Sequence, residues 1–495
     1  MPKRPQGAMV PLLAGQGTEG LSLRDQVYKT CLAAIVDGRL AAGARLPSAR
    51  QLAEDWRISR NTIDDAMAQL HAEGFLVRRV GNGTFVAAQT RMSPRKQVRH
   101  RRPSALGRKA LAGVSAWGRS ATSSYTPASV PRAEPFLAGL PALDAFPLAL
   151  WRRLAARRWR VGGGGLLGYF PSLGHEPLRE ATARHLATVR GVDCDPEQIM
   201  ILNSSMQAVD LVARVLLERT DSVWIEDPCL PNLPPALAMS GARVVPVAVD
   251  EQGLDVEEGA RVAPSPALIC VTPSCQYPTG VTLSLDRRLA LLRHAEANGA
   301  WILEDDFQSE FTYEGRPVAS VHSLDRGERT LYVGAFTNSV FPSLRLAYVV
   351  LPRILVPVFE AVRRQSDDHT HGYMQTVLAD FMDGGHFNAH LRKMRSLYHA
   401  RRDALVEACA RFLPDGIALG PAASGMYMAL RLPARLPDRT VAARAAAAGL
   451  RVQPLSRYAS GTHRRNGLLL GYTALTERRI TAGIARLAEV IGNGA

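Results

Sequence analysis

From residue 199 the chain repeats one arrangement: a short apolar run, a polar break, then a longer amphipathic stretch. "IMIL" (199–202) is followed by a helical "AVDLVARVLLE" (208–218). Then come "SVWIED" (222–227), "ARVVPVAV" (242–249), "ALICVT" (267–272), "AWILEDD" (300–306), "TLYVGAF" (330–336) and "LAYVVL" (346–351). Runs of this length with few interleaved polar residues read as strands buried on both faces. Helices between such strands supply the crossovers that parallel neighbours require. The expected class is therefore α/β with a mostly parallel sheet, which excludes an all-helical bundle and an antiparallel sandwich. With 495 residues the chain exceeds what one core holds. Texture divides it into a tail (1–20), a helix-rich segment ending in a short hairpin (21–88), a linker rich in Ser, Arg, Pro and Ala (89–130), and the α/β region (131–495).

No apolar run approaches the ~18 residues of a membrane helix, and the opening "MPKRPQGAMVPLLAGQGTEG" reads as a tail on a cytoplasmic protein. The six cysteines stand apart without CxxC or Cys/His spacing, which argues against a zinc site and a disulfide framework. The net charge of +15 is concentrated: Arg91 to Lys109 holds eight Lys/Arg and no acid, which points to a polyanion partner. The tract Gly162 to Gly165 lacks phosphate-loop spacing and is expected to be a flexible turn.

The stretch "RLPSARQLAEDWRISRNTIDDAMAQLHAEGFLVRRVGNGTFVAA" (45–88) carries the first functional signal. Ser48 and Ser59 each stand where a helix cap belongs, and the break at "RIS" between two short helices makes a helix-turn-helix. The second helix opens with Ser59, Arg60, Asn61 and Thr62, hydrogen-bonding side chains where a recognition helix meets base edges and phosphates. "GFLVRRVGNGTFV" reads as two strands about a turn at Gly81-Asn82-Gly83, a wing in which the glycines and Thr84 let backbone approach a phosphate. In order, these elements resemble the LPSxRxLA, SRxTVxxAxxxLxAEGxL and GxGTFV elements of the GntR family over residues 21–88. The resemblance implies duplex-DNA contacts from Arg50, Arg60, Asn61 and Thr62, with Gly81 and Gly83 in the wing. Asp64 stands where some relatives carry a base-reading arginine; a carboxylate repels phosphate, so no contact is expected of it.

The second half adds a matching resemblance. "TPSCQYPTG" (272–280), "LEDDFQSEFTYEGRP" (303–317), "VGAFTNSVFPSLRLAYVV" (333–350), "HFNAHLRKMRSLYHARRDAL" and "GLLLGY" (467–472) are similar, in order, to motifs of the MocR-type subgroup of GntR regulators. That subgroup joins a winged helix-turn-helix to a fold-type I aminotransferase-like domain, so the resemblance implies a seven-stranded, mostly parallel sheet with a smaller C-terminal subdomain and a head-to-tail homodimer. A pyridoxal phosphate site needs phosphate donors, a carboxylate for the ring nitrogen, a stacking aromatic and a Schiff-base lysine. By position the resemblance puts Ser204, Ser205, Tyr277, Asp305, Phe307, Asn338 and Arg345 at this pocket. Asp305 matches the ring-nitrogen carboxylate, and Arg345 an arginine near the phosphate. Six positions depart from the pattern: Asn338 for the lysine, Leu230 for the stacking aromatic, Phe307 for a tyrosine, Cys275 for a histidine, Ser204 for a glycine and Met206 for a glutamine.

No catalytic residue is expected, because an amide nitrogen is not a nucleophile and Lys393 is the sole lysine from 131 onward. The reading is a DNA-binding transcription regulator that forms no covalent bond to pyridoxal phosphate. Its second domain would dimerise and sense a small molecule, and a non-covalently held pyridoxal phosphate stays open. The alternatives are an aminotransferase fused to a DNA-binding module and a ligand-free dimeriser.

Overall fold

The computed structural model describes residues 21–79, 81–88, 113–115, 118, 134–315, 318–459 and 465–492. The expected tail (1–20) and the basic run (91–109) lie outside the described residues. The chain divides into two compact units between Arg119 and Ser120.

In the first unit, α1 (Leu23–Val36), α2 (Ala49–Trp56) and α3 (Arg60–Ala72) surround one small core. Each helix starts on a serine whose hydroxyl accepts a first-turn N–H: Ser22 from Asp25, Ser48 from Gln51 and Ser59 from Thr62. Helix α2 stops at Arg57, which takes the left-handed conformation (φ +55°) and turns the chain into α3. Ile63, Ala66, Met67 and Leu70 recur at helical spacing and pack with Leu52, Trp56, Val27 and Cys31. Strands β1 (Leu76–Arg79) and β2 (Gly83–Val86) pair antiparallel, Leu76 opposite Val86 and Arg79 opposite Gly83. The turn thus sits one residue earlier than expected: Gly83 already belongs to β2. Its φ of +106° suits glycine alone, and a Cβ there would lie 3.1 Å from the Arg45 Nε.

The second unit carries an eight-stranded sheet in the order β3-β10-β9-β8-β7-β4-β5-β6. The strands are β3 (Ile199–Leu202), β4 (Ser222–Asp227), β5 (Arg243–Asp250), β6 (Gly253–Leu254), β7 (Leu268–Val271), β8 (Trp301–Asp305), β9 (Thr330–Ala335) and β10 (Ala347–Val350). All seven apolar runs became strands. The eighth, β6, is a two-residue return on the end of β5, too short to leave a pattern. Five strands run parallel through β5-β4-β7-β8-β9, and β10 is antiparallel to both neighbours, β9 and β3.

Alternation along the strands builds two cores. Met200, Leu202, Val223, Ile225, Leu331 and Val333 face one side, where they meet α6 (Ser205–Leu216) and α8 (Val356–Ser366). Ile199, Ile201, Trp224, Ile269, Tyr332 and Tyr348 face the other. That side is covered by α4 (Leu148–Val161), α5 (Glu176–Arg190), α7 (Leu285–Asn298), α9 (Gly372–Asp383) and α10 (His386–Phe412). Gly334 of β9 lies opposite Tyr348, and a Cβ there would come within 2.3 Å of that ring, so only glycine fits. The smaller subdomain is an antiparallel sheet, β11 (Ala418–Leu419), β12 (Tyr427–Arg431), β13 (Gln453–Pro454) and β14 (Gly467–Gly471), in the order β11-β12-β14-β13. It is completed by α11 (Asp438–Ala447) and α12 (Glu477–Gly492). The glycine tract expected as a flexible turn forms a 3-10 turn, Gly163–Leu167, continuing from α4, because without side chains it can wind tightly there.

Candidate functional site

In the first unit the residues named for DNA contact gather at the start of α3 and in the wing. Arg50, Ser59, Arg60 and Asn61 are exposed and Thr62 is half-buried. Four of them already have work within the protein. The Ser59 hydroxyl accepts the Thr62 N–H at 3.2 Å and lies 2.7 Å from the Thr62 hydroxyl, so this pair shapes the helix start. Arg60 and Asp64, one turn apart, approach to 3.4 Å, and Arg50 and Glu54 to 3.3 Å. Asp64 thus holds the Arg60 guanidinium rather than standing idle. In the wing Gly81 and Gly83 are exposed and Thr84 is half-buried. The sequence reading missed Arg45, which pairs with Phe85 as a further rung beside the wing, and Arg78 and Arg79 of β1. Arg79 lies 5.0 Å above the Phe85 ring. Strand β1 is exposed beyond Leu76, so Val77, Arg78 and Arg79 all stay at the surface; the two consecutive arginines before the glycine turn were the signal.

In the second unit one cavity of about 450 Å³ collects seven of the positions named from the sequence: Ser204, Ser205, Tyr277, Asp305, Phe307, Asn338 and Arg345. Its place follows from the topology. Strands β3, β4, β7, β8 and β9 end at one edge of the sheet, and the residues that follow them line the cavity. Strand β10 runs the other way, so its entry, Arg345, meets the same edge.

Ser204 caps α6 by accepting the Gln207 N–H at 3.2 Å, which leaves the open first turn at Ser205 and Met206 facing the cavity. Gln207 is turned away, receiving the Asn203 N–H and donating to Asp367 at 2.8 Å. Arg345 takes the left-handed conformation (φ +52°), is exposed, and has no ion-pair partner among the described residues. Such a conformation costs a non-glycine residue of order 1 kcal/mol, and it aims the side chain at the cavity edge. Asn338, in the turn Phe336–Ser339, donates weakly to the Phe307 carbonyl at 3.5 Å.

Asp305 is the outstanding group. Its Oδ1 is inaccessible and accepts no hydrogen bond. Burial first, then the charges of Asp306 and Glu226, push its carboxyl up to about 7. Neighbouring Asp306 differs: Arg190 holds it at 2.7 Å and the Tyr332 hydroxyl donates to it at 2.6 Å. The Tyr277 hydroxyl is committed to Tyr458 at 3.2 Å, which in turn donates to Gln453 at 2.6 Å. Leu230 and Met206 add apolar wall where the family pattern has an aromatic and an amide. Cys275 is buried against Tyr427 and does not line the cavity. The reading also missed Gly139, Asn232, Thr272, Gln308 and Thr337; Asn232, Gln308 and Thr337 sit within two residues of positions it named, and Thr272 opens a motif it quoted.

These residues fit pyridoxal phosphate in part. The helix start, Arg345 and the unpartnered Asp305 suit a phosphate and a ring nitrogen. Among the described residues no amine lines the cavity: Lys393 is exposed and donates to the Ala145 carbonyl at 3.3 Å, and no ring lies where Leu230 stands. A covalently held cofactor does not fit.

Comparison with known proteins places both units. Residues 23–86 match the family of bacterial regulatory proteins, gntR family, and residues 143–460 match aminotransferase class I and II. The chain is 36% identical to the probable rhizopine catabolism regulatory protein MocR of Rhizobium meliloti over 93% of its own length and 92% of that protein. It is 31% identical to the HTH-type transcriptional regulator TauR of Rhodobacter capsulatus, covering 96% of this chain and 97% of that one. Among solved structures, kynurenine aminotransferase of Pyrococcus horikoshii superposes with a TM-score of 0.68 at 28% identity, over 78% of this chain and 96% of that chain. Two matched domains in this order, with a relative spanning nearly the whole length, show that the chain belongs to the MocR-type subgroup of the GntR family, a winged helix-turn-helix joined to a fold-type I aminotransferase domain.

Proposed function

We propose that this protein is a DNA-binding transcription regulator whose aminotransferase-like unit dimerises and holds a small effector non-covalently, with no transaminase chemistry. One observation carries the reading: Asn338 lines the cavity, at the position where the resemblance puts the Schiff-base lysine, and an amide cannot do the work of that amine. Asp305 and Arg345, both without partners among the described residues, are retained around it, and they give an effector a hydrogen-bond acceptor and a cation to meet.

In the first unit, Arg60 and Asn61 read base edges in the major groove while Arg50, Thr62, Thr84 and the Gly81 and Gly83 backbone position the phosphates. Arg45 and Arg78 add phosphate contacts from the wing. Ser59 serves chiefly as the cap that aims them.

Dimerisation is supported by an exposed apolar stretch along the end of α4 and the turn after it. Trp159, Val161, Leu167 and Tyr169 are 58%, 76%, 75% and 92% exposed, large apolar side chains of the kind a partner surface covers. Tyr169 lies beside His369, and the Asp367–Thr370 segment bonds Asn203 and Gln207 at the cavity edge. The surface therefore adjoins the cavity, as a head-to-tail pair requires.

The test is reduction with borohydride in the presence of pyridoxal phosphate, followed by peptide mass spectrometry. The wild-type protein acquires no stoichiometric pyridoxyl-lysine, whereas Asn338→Lys acquires one at the substituted position. A stoichiometric adduct on Lys393 in the wild type would overturn the reading.

A further inference from the structure

A second cavity, about 510 Å³, lies between the β5–β6 edge of the large sheet and the smaller subdomain. Nothing in the proposed function uses it. Val281, Pro421, Ala429, Leu432 and Leu455 give it an apolar wall, and Arg431 and Arg465 stand at the same wall. Arg465 is half-buried and fixed, donating to the Val249 carbonyl. Neither arginine has a carboxylate within ion-pair distance among the described residues. Burial first, and Arg431 second, hold the Arg465 guanidinium below the usual arginine range, while Asp250 and Glu251 at the same cavity act in the opposite direction without cancelling that effect. Arg431 is exposed and Arg465 half-buried, and a carboxylate bridging the two would offset their repulsion and the desolvation of Arg465.

We propose that this cavity binds a small monocarboxylate with an apolar body, its carboxylate gripped by Arg431 and Arg465 and its body against Val281, Leu432 and Leu455. One negative charge is specified, because Asp250 and Glu251 also line the cavity. Asp250 is held by Arg287 at 2.8 Å and Glu251 is exposed, so both would repel a second carboxylate. Asn466 offers the ligand nothing. Its amide donates to the carbonyls of Leu432, Pro433 and Leu436 and accepts the Asp438 N–H, and so fixes the wall.

The two cavities share structure. Thr279 and Val281 line this one and Tyr277 lines the first, all on one segment. Leu455 opens the turn that ends at Tyr458, the partner of the Tyr277 hydroxyl. An occupant here bridges the large sheet and the subdomain and bears on the wall of the first cavity.

The experiment titrates full-length protein with sodium hexanoate, hexanamide and glutarate by calorimetry and ligand-observed NMR. Hexanoate binds with a Kd of about 1 mM or tighter, as a ligand of its size can, and both hexanamide and glutarate bind at least about tenfold more weakly. Arg431→Gln and Arg465→Gln each weaken hexanoate by about tenfold, while Arg345→Gln at the first cavity leaves it unchanged. Ala434→Trp, at an exposed rim position, blocks hexanoate and keeps the melting temperature, which covers the case of arginine variants that fold poorly. The proposal is overturned by equal binding of acid and amide, by loss of binding in Arg345→Gln instead, or by no hexanoate binding to the wild type.

Discussion

Asp305→Asn should stabilise the protein more at pH 8 than at pH 5. The carboxyl is raised in the folded chain from an ordinary 3.8 to about 7, by burial first and by Asp306 and Glu226 next. Below pH ~4 it is protonated folded or unfolded, and ionisation costs nothing. Between pH ~4 and 7 the unfolded chain releases the proton and the folded chain keeps it, so stability falls as pH rises. Above pH 7 the penalty is complete. A shift of about three units corresponds to ~4 kcal/mol at most. One side of Asp305 opens on a cavity of about 450 Å³, where water screens the charge, so we expect about 1–2 kcal/mol to be measurable. The asparagine amide brings its own cost, but that cost does not vary with pH. The quantity to read is therefore the variant's stability change at pH 8 minus that at pH 5, from urea unfolding of the full chain followed by tryptophan fluorescence. Trp224, fully buried in the large unit, reports the transition. A difference of zero or of opposite sign would mean that the carboxylate is already satisfied when folded, and the argument for a waiting ligand group would fail.

Arg60→Ala should weaken cognate operator binding by about 1–3 kcal/mol, whereas Asp64→Ala, which frees Arg60 from a pair at 3.4 Å, should tighten it by under ~1 kcal/mol; gel-shift titrations decide, and equal losses would remove Arg60 from the interface. Ser59→Ala should cost the first unit about 1 kcal/mol and lower its melting temperature by ~4–8 °C, read by calorimetry; an unchanged transition would deny the cap. Deleting residues 91–109 should weaken binding to all DNA sequences and flatten its salt dependence, with retained salt slope as the contrary result. Trp159→Arg combined with Val161→Arg should shift the protein to monomer in sedimentation runs at micromolar concentration, and a persisting dimer would place the interface elsewhere.

The large sheet was legible because each strand is a run of residues buried on both faces, and a run such as "ALICVT" or "LAYVVL" has few other uses. Strand β6 was not, because two residues carry no period. The pocket positions were legible only through the resemblance: composition says nothing about Ser204 and Arg345 meeting across the sheet, which depends on strand order. The condition of the groups was hidden too. Asp305 and Asp306 are adjacent carboxylates, yet one is bonded by Arg190 and Tyr332 and the other by nothing, and that difference comes from which face of β8 each one leaves. Likewise Arg60 and Asp64 could be placed on one helix face, but their mutual hold appears only in three dimensions. The wing turn was misplaced by one residue because Gly81 and Gly83 both permit a positive φ and the sequence does not say which one begins the strand.

The loop from Phe336 to Leu346 joins two hydrogen-bonded neighbours, β9 and β10, and is closed by the Phe336 N–H on the Leu346 carbonyl at 3.0 Å. Its ends are therefore set by the sheet, whatever the loop carries at its middle. In an enzyme such a loop can lose its amine without the scaffold noticing. For a regulator the same independence is a requirement. A vacant receptor has to be as well folded as an occupied one, or the cell would read the absence of the signal as the absence of the protein.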